Sequence, residues 1–247
     1  MSVNLCVDWG NTRVKAAVYN SDQQVEARNF SAAEAPEAIN ELINSYHPAK
    51  GIMCAVTNHT SEAEQVMNDK LKAFIKLTNS TRVPIMNAYS SPDTLGADRL
   101  GLAVGAHMLN PDKNNLVISI GTCVTYNFVQ KNKTFRGGAI SPGLHMRLKA
   151  MHAFTDRLPE VPLEGELLLL GYDTATCMRS GAVFGIAAEI DGMITEFTSQ
   201  YPDFNAILTG GDLPFFATKV KSKIFADPDL LLKGLNLILN YNVPHIR

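Results

Sequence analysis

The chain has 247 residues, 46% of them hydrophobic and 19% charged, with a formal net charge of −2. That balance excludes intrinsic disorder, and the length suits one large domain or two small ones. Four cysteines in so long a chain exclude a disulfide-stapled scaffold, and the slight negative charge argues against a dedicated nucleic-acid binder, which would carry a basic face.

Residues 3–8 read as a strand, 9–12 as turn chemistry and 13–19 as a resumed alternating pattern. Asn and Gly tolerate φ > 0, so a tight hairpin centred on Gly10 and Asn11 is expected. A third strand near 25–30 completes a meander. Ala35, Ile39, Leu42, Ile43 and Tyr46 recur at helical spacing, with Ser31 and Glu34 set as a capping box. Residues 51–56 read as a buried strand, 61–72 as a helix, and 100–109 as the continuation of a helix that begins near Gly96. A second β-rich start follows: 116–120, then Gly121 and Thr122, then 123–129, a polar turn over 130–133, and a strand over 134–140. A strand, Gly/Thr turn, strand, turn, strand unit thus occurs twice, at 3–30 and 116–140. This weak internal similarity suggests two related α/β halves, at 1–114 and 115–247. Helices over 142–153 and 173–200, a strand over 205–209 ending in Gly210 and Gly211, and a helix over 230–241 complete the chain.

Cys6, Cys54, Cys123 and Cys177 are far apart without a C-x-x-C pair, so structural zinc is not expected. They read as small buried or half-buried thiols of a reducing cytosol. The opening Met1, Ser2, Val3, Asn4, Leu5, Cys6 carries no basic or cleavable apolar stretch, and no apolar run approaches a membrane span, so a cytoplasmic protein is expected.

Asp8, Trp9, Gly10, Asn11 and Thr12 stand at a strand end entering a hairpin. Glycine lets the backbone approach a ligand, and successive N–H groups in such a turn cradle phosphate oxygens. Thr12 adds a hydroxyl donor, Lys15 a cation, and Asp8 a carboxylate suited to a hydrated Mg2+. Taken alone, the five residues read equally well as an ordinary hairpin with an Asp-capped turn. Gly121 and Thr122 make a second such turn, and Thr209, Gly210, Gly211 and Asp212 a third, whose N–H groups suit an anion or an adenosine. Each is weak singly; three, each after a predicted strand, are harder to read as punctuation. Neither the P-loop pattern G-x-x-x-x-G-K-S/T nor the Rossmann pattern G-x-G-x-x-G is present. Without further context, Asp98 beside Arg99 reads as a solvated ion pair opening a helix.

In order, D-x-G-N-T at 8–12, G-A-D-R at 96–99, G-T at 121–122, G-G-x-I-x-P-G at 137–143 and T-G-G at 209–211 resemble the type III pantothenate kinases. That family belongs to the actin/hexokinase/Hsp70-like phosphotransferase superfamily. Tyr89 and residues 174–181 extend the likeness over nearly the whole chain. The resemblance implies an α/β fold of two ribonuclease H-like (actin-like ATPase) halves of mixed sheet with flanking helices, and ATP in the cleft between them. It implies ATP-dependent phosphorylation of pantothenate, the first step of coenzyme A biosynthesis. It also implies a homodimer that uses the 173–200 helix, with pantothenate bound near the subunit interface.

By position, the resemblance assigns Asp8, Trp9, Gly10, Asn11, Thr12, Arg13, Val14 and Lys15 to ATP phosphates and Mg2+, with Asp8 reaching the metal through water. Thr122 falls to ATP, and Tyr89, Gly96, Ala97, Asp98, Arg99 and Thr174 fall to pantothenate, with Asp98 as the base on its primary hydroxyl. The chemistry agrees: phosphoryl transfer needs positioning and an oriented hydroxyl, and the carboxylate of pantothenate suits an Arg. Ser119 departs from the pattern. The family usually has Asp there, tied to a bound K+ or NH4+, and a neutral hydroxyl is a weaker ligand. Weakened cation dependence, or a site built from backbone carbonyls, is therefore expected.

Two rival readings remain at this point. Another actin-fold small-molecule kinase or phosphatase would keep Asp8 and the turns without needing Arg99, and a non-catalytic regulator would have little use for Asp98. His47, His59, His107, His145, His152 and His245 show no metal-ligand spacing, and His145 reads as a surface or packing residue. Cys123 has no base beside it. Residues 167–170 read as core or an interface, and Glu189 and Asp191 as polar residues of a helix or an interface.

Overall fold

A computed structural model describes residues 3–57 and 59–243; Met1, Ser2 and His245 lie outside the described residues. Strands β1 (Val3–Trp9), β2 (Val14–Asn20) and β3 (Gln23–Phe30) form the expected antiparallel meander. After α1 (Ala35–Tyr46), β4 (Lys50–Ala55) joins β1 in parallel, and after α2 (Ser61–Lys70), β5 (Ala73–Lys76) joins β4. The order is β3-β2-β1-β4-β5. The hairpin between β1 and β2 is a four-residue loop closed by the Gly10 N–H donating to the Arg13 carbonyl at 3.1 Å. Neither Gly10 nor Asn11 has a positive φ, contrary to expectation. Space explains the glycine instead, since a Cβ on Gly10 would lie 3.0 Å from the Arg13 oxygen. Ser31 and Glu34 do exchange hydrogen bonds, but in a turn ahead of α1, which starts at Ala35 with a proline in its first turn.

Residues 86–87 form the short strand β6 (Met86–Asn87), and a single 3-10 turn (Pro92–Thr94) precedes α3 (Ala97–Leu109). Strand β7 (Asn114–Ile120) leads through Gly121 and Thr122 into β8 (Cys123–Val129), and a turn returns the chain as β9 (Thr134–Pro142). Then come α4 (Leu144–Ala153), α5 (Thr174–Gln200), β10 (Phe204–Thr209), α6 (Leu213–Phe216) and β11 (Phe225–Ala226). The last helix is α7 (Leu230–Asn242).

These elements divide into two compact units. The first takes the described residues up to 112, with 128–137 and 229–243; the second takes 113–127 and 138–228. They differ from contiguous halves at 1–114 and 115–247 in where 128–137 and 229–243 fall. In the first unit β6 pairs with Thr134 and Phe135 at the tip of the β8–β9 ribbon. In the second, β10 runs parallel to β7 with Thr209 beside Ser119. Helix α5 starts at a full capping box, Asp173 accepting the Thr176 N–H at 2.7 Å. It buries Met178, Ala182, Ile186, Ile190 and Ile194 at four-residue spacing.

Residues 154–173 form neither helix nor strand. The buried Arg179 of α5 holds that segment, donating to the carbonyls of Glu166, Pro162 and Glu164 at 3.1, 3.4 and 3.5 Å. Within it Leu169 and Leu170 are exposed and so are not core. Cys6 and Cys54 are buried and Cys123 half-buried, but Cys177 is exposed, contrary to expectation. Among the described residues, no helix is long and apolar enough to cross a membrane.

Which face of β1 carries which residues decides where the chemistry sits. Strand residues alternate between faces. Leu5, Val7 and Trp9 join the apolar core beneath α1 and α2 with Ile39, Leu42, Met53 and Met67. Asn4 points the other way, its amide donating to Asn236 at 2.6 Å and Asn240 at 3.0 Å on α7. Cys6 and Asp8 share the side of Asn4, so Asp8 lies on the face covered by α7 and α3. Those two helices meet at backbone distance: a Cβ on Gly234 would sit 2.1 Å from the Gly101 oxygen, and one on Gly105 2.6 Å from the Leu230 oxygen. Gly234→Ala gains about 1 kcal/mol of helix propensity but drives a methyl into backbone that has no side-chain rotamer to yield. Overpacking of this kind costs about 1–3 kcal/mol or more. The expected net result, checked by thermal unfolding, is a melting temperature lowered by a few degrees.

Candidate active site

The register of β1 places Asp8 directly opposite Lys15 of β2 and beside Cys54 of β4, so all three side chains share the α3–α7 face. Asp8 is half-buried, and its carboxyl is pushed up to about 7 by burial and then by the charge of Asp98, with Lys15 opposing. The Cys54 thiol is pushed up by burial and by the same two carboxylates. Two acids 90 residues apart in sequence thus lie near enough within the first unit for the charge of Asp98 to act on Asp8.

Asp98 occupies the first turn of α3, where the chain has just passed Gly96. A Cβ on Gly96 would lie 2.4 Å from an Asp98 carboxylate oxygen, so glycine is what lets this side chain fold back over the helix start. Burial raises the Asp98 carboxyl, while the backbone N–H groups of Arg99 and Asp98 and the Arg99 guanidinium pull it down. Arg99 is buried, not solvated, and its guanidinium carbon stands 5.7 Å from the centre of the Tyr89 ring. Tyr89 in turn lies over Gly137, whose φ is 90° and whose Cβ would come within 3.0 Å of the ring. The G-G-x-I-x-P-G motif therefore begins with a glycine because Tyr89 occupies the space a side chain would need.

Asn11, Thr12 and Arg13 are exposed on the β1–β2 loop. The side chains of Trp9 and Val14 are buried in the core, leaving only their backbone for a ligand. Lys15 is held by Asp229 at 2.5 Å, and Gln24 donates to the other Asp229 oxygen at 3.5 Å. Asp229 was not legible as a site residue, because an Asp before an apolar helix reads only as a cap.

In the second unit, the Gly121 and Thr122 turn meets the start of α4. The Gly143 N–H donates to the Thr122 carbonyl at 3.1 Å, and a Cβ on Gly143 would lie 2.0 Å from the Gly121 oxygen. The third turn reaches the same strand end: Asp212 N–H donates to the Ile120 carbonyl at 3.0 Å, beside Gly210 at φ 98°. Burial raises the Asp212 carboxyl, with His145 opposing. Ser119, half-buried, is two residues before that turn. Thr174 is exposed at the first position of α5. The structure thus gathers Asp8, Lys15, Tyr89, Gly96, Asp98 and Arg99 in one unit, and brings Thr122, Gly143 and Gly210 together in the other. Among the described residues, no three His, Cys, Asp or Glu side chains make a metal cluster. One carboxylate completed by substrate phosphates is a donor set that suits Mg2+, which keeps several waters.

A profile of the type III pantothenate kinase family matches residues 4–196. The chain is 43% identical over 240 residues to a type III pantothenate kinase of Bacteroides fragilis (strain YCH46), covering 97% of this chain and 98% of that protein. It is 39% identical over 246 residues to that of Porphyromonas gingivalis (strain W83), covering 98% and 100%. Component A of the (R)-2-hydroxyglutaryl-CoA dehydratase of Acidaminococcus fermentans matches in fold with a TM-score of 0.57 at 14% identity, covering 98% of this chain and 97% of that one. The inorganic polyphosphate/ATP-glucomannokinase of an Arthrobacter strain matches with a TM-score of 0.53 at 12% identity, covering 98% and 100%. The fold is accordingly that of the actin-like ATPases, two units of mixed sheet with flanking helices.

Proposed function

The chain belongs to the type III pantothenate kinase family, and from that premise we propose that it phosphorylates pantothenate with ATP as donor, Asp98 acting as the general base. The observation that carries the reading is the pair of desolvated carboxylates, Asp8 and Asp98, on one face of the first unit with Arg99 and Tyr89 beside them. Asp98 accepts the proton of the primary hydroxyl as that oxygen attacks the γ-phosphorus and the bond to the β-phosphate oxygen breaks, releasing ADP. Arg99 pairs with the pantothenate carboxylate and, with Tyr89, fixes which hydroxyl reaches Asp98. In the second unit Thr122, taken by itself, is an ATP contact; in the first unit the loop of residues 10–13 and Lys15 bind phosphate oxygens, and Asp8 would hold the hydration shell of Mg2+. When bound, that cation neutralises charge on the transferring phosphoryl group.

The direct test measures ADP release from ATP and Mg2+ with pantothenate, with K+ or NH4+ present and absent. Turnover that depends on pantothenate is expected. No turnover by folded protein in either salt sinks the reading. With Ser119 in place of a carboxylate, we expect activity to persist without K+ and NH4+; collapse, with recovery at about millimolar K+, would refute that expectation.

A homodimer fits the same reading, since Leu169, Leu170, Tyr172 and Phe154 stand exposed on and beside the segment that Arg179 holds. Leu170→Asp is expected to shift sedimentation toward the monomer and to lower turnover; an unchanged sedimentation coefficient would count against this surface. A cytoplasmic location agrees with ATP as donor and with four unpaired cysteines.

A further inference from the structure

Glu189, midway along α5, was legible in the sequence only as a polar helix residue, yet it is the hub of a network inside the second unit. Its carboxylate accepts the Tyr126 hydroxyl at 2.9 Å and the Ser141 hydroxyl at 2.9 Å, and pairs with Arg147. Arg147 also donates to the Ser141 hydroxyl oxygen at 2.9 Å and to the Pro142 carbonyl at 2.9 Å. One carboxylate therefore ties together β8, the end of β9 and the first turns of α4. Each donor it binds lies within a few residues of the point where Gly143 closes on Thr122 at 3.1 Å. The Gly143 backbone is packed against the turn with no room for a Cβ, which would lie 2.0 Å from the Gly121 oxygen and 2.7 Å from the Thr122 oxygen, so a displacement of residues 141–143 is passed directly to the turn.

We propose that Glu189 and Arg147 are positioning residues for the nucleotide: they fix residues 141–143, which in turn fix Thr122 against the ATP phosphates. This rests on the reading of Thr122 as an ATP contact. A pair of charges a fifth to a quarter exposed contributes modestly to stability, whereas four aligned hydrogen bonds set a geometry closely.

The test measures affinity for ATP and Mg2+ by calorimetry, which needs no turnover, together with KM for each substrate. In Glu189→Gln the amide turns an N–H toward donors, and loss of one charge-assisted bond corresponds to about tenfold weaker ATP binding. KM for pantothenate is expected to stay within about twofold, and Arg147→Lys, which keeps the charge and loses the fork, to show a smaller shift of the same kind. In a Thr122→Ala background, Glu189→Gln should add less than about twofold, because the contact it positions is gone. Should Glu189→Gln lower only the melting temperature, weaken both substrates alike, or act with full strength on the Thr122→Ala protein, the proposal fails. If Thr122→Ala alone leaves ATP binding unchanged, the reading of Thr122 fails and takes this one with it. Absence of pantothenate turnover with normal ATP binding would fault only the substrate assignment. If Glu189→Gln does not fold, Arg147→Lys, which keeps the charge, decides by the same criteria.

Discussion

Asp98→Asn is expected to lower kcat at least about a hundredfold, the usual scale for removing a general base, while KM for pantothenate changes little. The substitution keeps the size and shape of the side chain that folds back over Gly96, where a Cβ would lie 2.4 Å from an Asp98 carboxylate oxygen. It also keeps one oxygen to accept the N–H groups of Asp98 and Arg99. What it removes is the charge and the capacity to take a proton. Steady-state kinetics beside a thermal melt separate the two explanations for a loss. A hundredfold fall in kcat with an unshifted melt identifies chemistry, and a fall that tracks unfolding identifies packing. A folded variant with near wild-type kcat would remove Asp98 from the base role, leaving Arg99 and Tyr89 as binding residues only.

Much of this site was readable because it is local. The Asp8 to Lys15 hairpin, the Gly96 to Arg99 helix start and the Gly121, Thr122 turn each lie in a few consecutive residues with distinctive turn chemistry. Their structural counterparts are β1 and β2, the start of α3, and the β7–β8 link. The face of β1 was not readable. Both faces of that strand are buried, so alternation does not separate Trp9, which goes to the core, from Asp8, which does not. Only the Asn4 contacts with Asn236 and Asn240 tell them apart, and they join positions more than 230 residues apart. Asp229 was missed for the same reason: its partner Lys15 lies 214 residues away. Gly234 lies in the interior of α7, and its place there becomes intelligible only when Gly101 is set against it. The short strands β5, β6 and β11 have too few residues to show a period, and they form because neighbouring strands offer unpaired edges.

Asp8→Asn is expected to do two opposite things, to abolish useful ATP turnover and to stabilise the fold in a pH-dependent way. In the unfolded chain an Asp loses its proton near pH 4; in the native protein Asp8 holds it to about 7. Between those values the native state binds more protons than the unfolded one, so stability falls as pH rises through the window and the full cost is present above it. A shift of that size corresponds to a few kcal/mol, on the order of 1.4 kcal/mol for each pH unit. Asparagine carries no charge at any of these values, and Lys15 keeps its partner Asp229 when Asp8 is gone. The melting temperature of Asp8→Asn should therefore match wild type near pH 4 and exceed it by about 8–16 °C at pH 8, given ~2–4 °C per kcal/mol for a chain of this size. Thermal melts of both proteins across pH 4–8, without nucleotide, measure this directly. A difference that stays flat with pH would mean that the Asp8 carboxylate is not desolvated, and would remove the physical reason for assigning it the cation. The expected divergence identifies Asp8 as a carboxylate held at a cost in the empty protein. On the proposed reading of Asp8 as the residue that would hold Mg2+, a divalent cation would offset that cost, because it favours the ionised form that burial and Asp98 disfavour.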